Sequence, residues 1–258
     1  MDDAIDLTEV SLERLTQDYP PLGSTEPDVV IFGHSLGGLL ALSWQSALEP
    51  NQKRLEPLQI FTVEPAPSTE LGIPGPIILL LKLFSVPFAT EPLEIKDTGG
   101  KLTLPVTILH GADDEIVPPK EWIKRPFFGK QANYDYIAST TKQLYFSLSD
   151  PNNSELEAFH NQAVTNTGYF SPDLFEQFGS VKNGANAYNF IIIWPWLLGV
   201  VDKNILPQDL ASELPPEIVK VSLTLSKKNN ATKLVLSVLL GLAGLAAIGY
   251  WAWSSGVI

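Results

Sequence analysis

The chain has 258 residues, of which 45% are hydrophobic, enough for one globular domain and an appendage. It contains no cysteine, which excludes disulfides and thiolate metal sites. Its formal charge of −12 repels phosphate backbones and argues against nucleic-acid binding.

The first residues, Met1-Asp2-Asp3-Ala4-Ile5-Asp6, offer neither a basic region nor an apolar one, so no signal peptide is expected. Ile5, Leu7, Val10, Leu12, Leu15 and Tyr19 recur at the spacing of an amphipathic helix over residues 4–18. Pro20, Pro21 and Gly23 then end it. Residues 28–32 (DVVIF) form a short β-branched run, the pattern of a strand buried on both faces. A turn at 33–38 leads into a helix over 39–48, rich in Leu and Ala. Further strands are expected at 58–63 (LQIFTV), 106–109 and 143–148 (QLYFSL). Strands separated by helix-length segments predict an α/β fold with a parallel sheet flanked by helices.

Residues 73–89 (IPGPIILLLKLFSVPFA) interrupt this rhythm. They are too short and too broken by proline for a membrane span. They read as a helical cap within an insertion at about 70–98, or as a core helix. Ser171-Pro172-Asp173 is a good helix start. Residues 190–201 (FIIIWPWLLGVV) are apolar but split by Pro195, and read as buried or lying on a membrane surface. Residues 202–220 are polar and proline-containing, opening a linker that runs over 202–233.

Residues 234–253 (LVLSVLLGLAGLAAIGYWAW) carry no charge over twenty positions, the length of a bilayer-spanning helix. Tyr250, Trp251 and Trp253 stand at one end, and Lys227, Lys228 and Lys233 flank the other. That asymmetry predicts a single-pass C-terminal anchor with the domain cytoplasmic. The alternative is a buried C-terminal helix. Residues 1–201 are then the globular domain that precedes the linker. Asn152-Asn153-Ser154 and Asn230-Ala231-Thr232 fit the glycosylation sequon, but without a secretion signal they carry no weight.

Gly33-His34-Ser35-Leu36-Gly37-Gly38 fits G-x-S-x-G between a strand and a helix, the context in which that motif makes a nucleophile elbow. A serine at the tip of such a turn is strained, and Gly33 and Gly37 let the neighbouring backbones approach. The N–H of Leu36 is placed to stabilise an oxyanion. The plainer alternative is a glycine turn that opens a helix.

With this motif, and with Leu109-His110-Gly111-Ala112-Asp113-Asp114-Glu115-Ile116-Val117-Pro118 further on, the chain resembles the α/β-hydrolase superfamily, its serine esterases and lipases in particular. The resemblance covers about residues 4–165. The second segment matches a family pattern that implies Asp114 as the triad acid, with Asp113 as the alternative, and a structural role for His110. Only three histidines occur. His34 adjoins the nucleophile and is expected to point elsewhere, and His110 precedes the acid by four residues. His160 remains, in the loop after the last strand, and Ser35, Asp114, His160 is the family's order. The family's usual Gly-His pair is Phe159-His160 here. A histidine on a surface loop is the other reading.

The family usually builds four strands and an oxyanion loop before the elbow, where this chain has one helix. The fold is therefore expected to be partial, with the strand at 28–32 left as an apolar edge. An upstream segment, a partner, or decay to an inactive relative would each account for this. The resemblance implies a serine hydrolase that cleaves a carboxylic ester of an apolar or lipid-like substrate, with no cofactor and no metal. Amide, thioester or acyl-transfer chemistry is a weaker option, and a haloalkane enzyme would need Asp at position 35. The competing reading is a catalytically inactive, membrane-anchored interaction protein on the same fold.

Overall fold

The computed structural model describes residues 2–18, 28–71, 75–84, 90–125, 131–153, 156–165, 185–203 and 218–220. It shows an α/β architecture. Helix α1 (Asp2–Asp18) is followed by strand β1 (Val30–His34) and helix α2 (Leu36–Ala47). Strand β2 (Gln59–Val63), helix α3 (Gly75–Leu83), strand β3 (Val106–Gly111) and strand β4 (Gln143–Ser147) follow. Helix α4 (Trp194–Lys203) and strand β5 (Ile218–Lys220) complete the described elements.

The sheet runs in the order β1-β2-β3-β4-β5, with the first four strands parallel and β5 antiparallel to β4. β2 and β3 are buried along their whole length, with helices on both faces, whereas β1, expected to be buried on both faces, leaves Phe32 exposed. Ile60, Ile108 and Leu144 face Leu39 and Leu42 of α2, together with Trp122 and Ile137. Their neighbours Phe61, Leu109 and Tyr145 face the opposite way, onto Ile192, Ile193 and Trp196. The Trp196 ring lies 5.8 Å from that of Phe61 and 5.0 Å from that of Tyr145. Burying a side chain of this size contributes about 1.5–3 kcal/mol. A smaller cluster of Ile5, Trp44 and Leu55 docks α1, and Arg54 clamps it with hydrogen bonds to Glu9 and Glu13. Leu7, Val10 and Leu15 of α1 stay exposed, so only part of its expected apolar stripe is buried.

Four expected elements are shifted or extended. β1 runs on to His34 because Gly33 and His34 still pair with Thr62 and Val63 of β2. α2 begins at Leu36 rather than 39, directly at the end of the turn. Pro195 does not split its segment. It lies inside a stretch that is helical from 187 to 203, just after a π-helical turn at Asn189–Ile193, the kind of turn at which a helix takes up a break in its i→i−4 ladder. One face of this segment is buried while Phe190, Ile191, Trp194 and Leu198 are exposed. The linker expected from 202 is also corrected. α4 runs through Lys203, and Ile218–Lys220 pair with β4, Ile218 opposite Ser147. Ile218 is an apolar residue amid prolines, and it is buried in the second core cluster.

The insertion between β2 and β3 leaves and returns at one place, where Ser68 and Glu94 form an antiparallel bridge. Its helix α3 keeps Ile77, Leu79, Leu80 and Leu83 exposed, so it is not a core helix. Its one charge, Lys82, is paired with Glu70 at 3.1 Å. β1 is an edge strand, as expected, with Phe32 partly exposed and no partner on its outer side among the described residues. The expected membrane span at 234–253, the helix start at 171–173 and the turn at 20–23 lie outside the described residues. Among the described residues no helix is long and apolar enough to cross a membrane.

Candidate active site

Ser35 stands between the last residue of β1 and the first of α2, at φ 54° and ψ −122°. A non-glycine residue at positive φ costs of order 1–3 kcal/mol and persists only when its surroundings enforce it. Here they do. The Ser35 N–H donates to the carbonyl of Val63 at 3.1 Å. The Ser35 carbonyl accepts from Gly38, Leu39 and Ala66 at 3.0–3.2 Å. The elbow is thereby fastened to the end of β2.

The glycine requirement falls differently from the motif's expectation. A Cβ on Gly33 would sit 2.4 Å from the Gly37 carbonyl oxygen, and one on Gly38 would sit 2.7 Å from Pro65 Cβ. A Cβ on Gly37 would meet nothing within 4 Å. Leu36 opens α2, and the N–H groups of a helix's first turn have no acceptor within the helix. They carry the positive end of its dipole.

Asp114 follows β3 in a tight turn and is buried. Its Oδ1 accepts from the N–H groups of Ile116 at 2.9 Å and Val117 at 2.8 Å. Its Oδ2 lies 2.8 Å from His160 Nδ1. Asp113 is exposed and accepts instead from the Ser149 hydroxyl. His110, fully buried, donates through Nε2 to the Val117 carbonyl at 2.6 Å and so fixes the turn that carries Asp114. Burial lowers its pKa to about 4, which keeps it neutral in that role.

His160 follows β4 in a turn spanning 160–163. Its Nε2 lies 2.9 Å from Ser35 Oγ. Ser35, His160 and Asp114 therefore form one continuous hydrogen-bonded line, assembled from three loops at the ends of parallel strands β1, β3 and β4. Since Asp114 is an acceptor, Nδ1 carries the proton and Nε2 is free to accept from the Ser35 hydroxyl.

His34 does not point away. Its Nε2 donates to the His160 carbonyl at 2.8 Å, and the two rings lie 5.1 Å apart. Burial lowers its pKa to about 4. Beside it, Glu64 is fully buried at the end of β2 with φ 45°. Burial pushes its carboxyl well above the usual range. Glu64 accepts from Gln162, two residues beyond His160. The motif search did not single out Glu64 or Gln162. The one signal in the sequence was a carboxylate placed directly after an apolar strand, in Thr62-Val63-Glu64-Pro65.

No protein-family model matches the chain, and no curated protein matches it by sequence. Among solved structures it is similar to a monoacylglycerol lipase of Paleococcus ferrophilus, at 15% identity over 69% of this chain and 71% of that one, with a TM-score of 0.38. It is similar to an esterase of Pyrococcus furiosus at 16% identity, over 62% of this chain and 54% of that one, with a TM-score of 0.38. An α/β hydrolase enzyme from the metagenome of lagoon sediments at Mar Chica, Morocco, matches at 17% identity, over 64% and 67%, with a TM-score of 0.34. The chain thus spans little more than half the length of the Pyrococcus esterase. The α/β fold with a parallel sheet expected from the sequence is met in the chain's own architecture of parallel strands, tight strand-to-helix turn and helices.

Proposed function

We propose that this chain is a serine hydrolase that cleaves a carboxylic ester of an apolar or lipid-like substrate. The observation that supports it most directly is the line Asp114–His160–Ser35, with bonds of 2.8 and 2.9 Å and the serine on a strained elbow. In this reading Ser35 Oγ attacks the acyl carbonyl while His160 Nε2 takes its proton. Asp114 holds the imidazole tautomer and stabilises the imidazolium. The Leu36 N–H donates to the oxyanion. His160 then returns the proton to the departing alcohol, leaving an acyl-serine. Water, deprotonated by His160, attacks that ester, and the acid leaves as Ser35 recovers its proton.

The preference for an apolar substrate is supported by the exposed Leu79, Leu80 and Leu83 of α3 and by the uncharged segment 234–253. In the proposal that segment anchors the chain in a membrane with the domain on the cytoplasmic side. A second oxyanion donor comes from an upstream segment or a partner at the outer edge of β1. The edge of β1, unpaired among the described residues, also favours a second reading, an inactive anchored protein that binds a partner strand there. A fluorophosphonate probe separates the two. Labelling of the parent but not of Ser35→Ala or His160→Ala supports the hydrolase. No labelling of folded parent protein sinks the idea that the chain is active by itself.

A further inference from the structure

Beyond the line of three, the turn that carries His160 is held from inside at several points. The His160 carbonyl accepts from His34. The Gln162 side chain reaches back under the turn, where its Nε2 donates to Glu64 Oε1 and lies 2.7 Å from Ser147 Oγ. The Ser147 hydroxyl in turn lies 3.0 Å from Gln162 Oε1. The Gln162 carbonyl accepts from Asn186 Nδ2 at 2.9 Å and Asn189 Nδ2 at 3.2 Å. Glu64, Ser147 and Gln162 are all essentially inaccessible to solvent.

These bonds join the C-terminal ends of β2 and β4 to a turn that has no regular secondary structure of its own. A loop left to itself would let the imidazole drift. A base misplaced by about 1 Å can lose a hundredfold in rate. We propose that Glu64 and Gln162 are positioning residues of this site. The Glu64 carboxyl, acting through Gln162, fixes the turn that presents His160 to Ser35. The role rests on the proposed hydrolase reading for its catalytic meaning, but not for its geometry.

The carboxyl acts as a hydrogen-bond acceptor, not as a charge. Burial pushes it towards its neutral form, and the nearest cationic candidate, His34, lies 3.6 Å from Oε2 and is itself held neutral. A glutamine at 64 keeps the acceptor oxygen and the shape. A leucine keeps only the volume. Gln162→Leu removes the other half of the same bond.

The test uses the full chain in detergent with two readouts. One is the low-field Nδ1 proton of His160, labelled with ¹⁵N-histidine and assigned by its loss in His160→Gln. The other is the rate of Ser35 inactivation by a fluorophosphonate. Gln162→Leu and Glu64→Leu are expected to broaden or abolish the His160 signal and to slow inactivation at least tenfold. Glu64→Gln is expected to keep both within twofold of the parent. If Glu64→Leu fails to fold, Gln162→Leu decides. A folded Gln162→Leu that keeps the signal and the rate overturns the proposal. So does a Glu64→Gln as impaired as Gln162→Leu, or a parent with no His160 signal. A parent with the signal but no labelling refutes the hydrolase reading alone, and the signal still reports on positioning.

Discussion

Asp114→Asn is the most informative single change, because the surroundings of Asp114 dictate how the amide must sit. Oδ1 accepts two backbone N–H groups, from Ile116 and Val117, at 2.9 and 2.8 Å. An amide NH₂ cannot replace it there without burying donors against donors. The Asn oxygen is therefore held at that end, and the NH₂ faces His160 Nδ1, where Oδ2 now stands at 2.8 Å. Two donors cannot meet, so Nδ1 must become the acceptor. The proton moves to Nε2, the atom 2.9 Å from Ser35 Oγ. His160 can then no longer take the serine proton. A wrong tautomer of this kind costs on the order of 10³–10⁴ in kcat, or about 4–5.5 kcal/mol of barrier. Inactivation of Ser35 by a fluorophosphonate, followed at neutral pH beside circular dichroism, measures it. A loss below tenfold in a folded variant would refute the tautomer argument.

Other substitutions test the elbow and the core. Gly38→Ala puts a Cβ 2.7 Å from Pro65 and is expected to cost about 1–3 kcal/mol, or roughly 2–4 °C in Tm for each kcal/mol. Gly37→Ala meets nothing, and thermal melts should show it neutral or slightly stabilised. Trp196→Ala removes the ring between Phe61 and Tyr145 and should lose about 3–5 kcal/mol by urea titration. The pH dependence follows from three buried groups. His34 and His110 fall to about 4 in the fold, so each favours folding fully above about 6.5, its unfolded value, and loses that as pH falls towards 4. Glu64, raised in the fold, acts oppositely: its contribution is lost as pH climbs above its unfolded value of about 4.5. Two histidines outweigh one carboxyl between about 4.5 and 6.5, so these groups make stability rise with pH over that window, and Glu64 makes the rise shallower. Urea midpoints against pH measure this, and Glu64→Gln should steepen the rise.

The parallel strands were legible because burial on both faces favours short runs of apolar, β-branched and aromatic residues with few polar ones. β1 to β4 each lie within a residue or two of their expected bounds. β5 was not legible, since three residues beside prolines carry no period, and only the pairing with β4 defines it. Pro195 read as a break because a proline interrupts the ordinary i→i−4 ladder, but the π-helical turn just before it carries the helix through. Ser35 was legible through its elbow motif, Asp114 through the pattern that the family resemblance implies, and His160 through the scarcity of histidines and the family's order. Their support was not. His34 was expected to point away, yet the extension of β1 to His34 brings its ring to the His160 carbonyl. Gln162 and Glu64 lie 98 positions apart, and no local pattern joins them.

The distribution of these contacts bears on the proposed oxyanion site. Ser35 lies at the end of an edge strand. Every bond that fixes its backbone comes from β2, from α2 or from the Pro65-Ala66 turn. His160 and Asp114 also arrive from that side, over β3 and β4. The imidazole thus occupies the β2–β4 flank of the serine. A carbonyl attacked by Oγ must turn its oxygen away from the base, towards the Leu36 N–H and the outer flank of β1. That flank is where a second donor would have to stand, and among the described residues no strand pairs there. One missing donor costs about 10²–10³ in rate. Among the described residues the proposed machinery thus has its proton-transfer line and one oxyanion donor. A segment laid along β1 would supply the rest by pairing with the same edge whose exposure it removes.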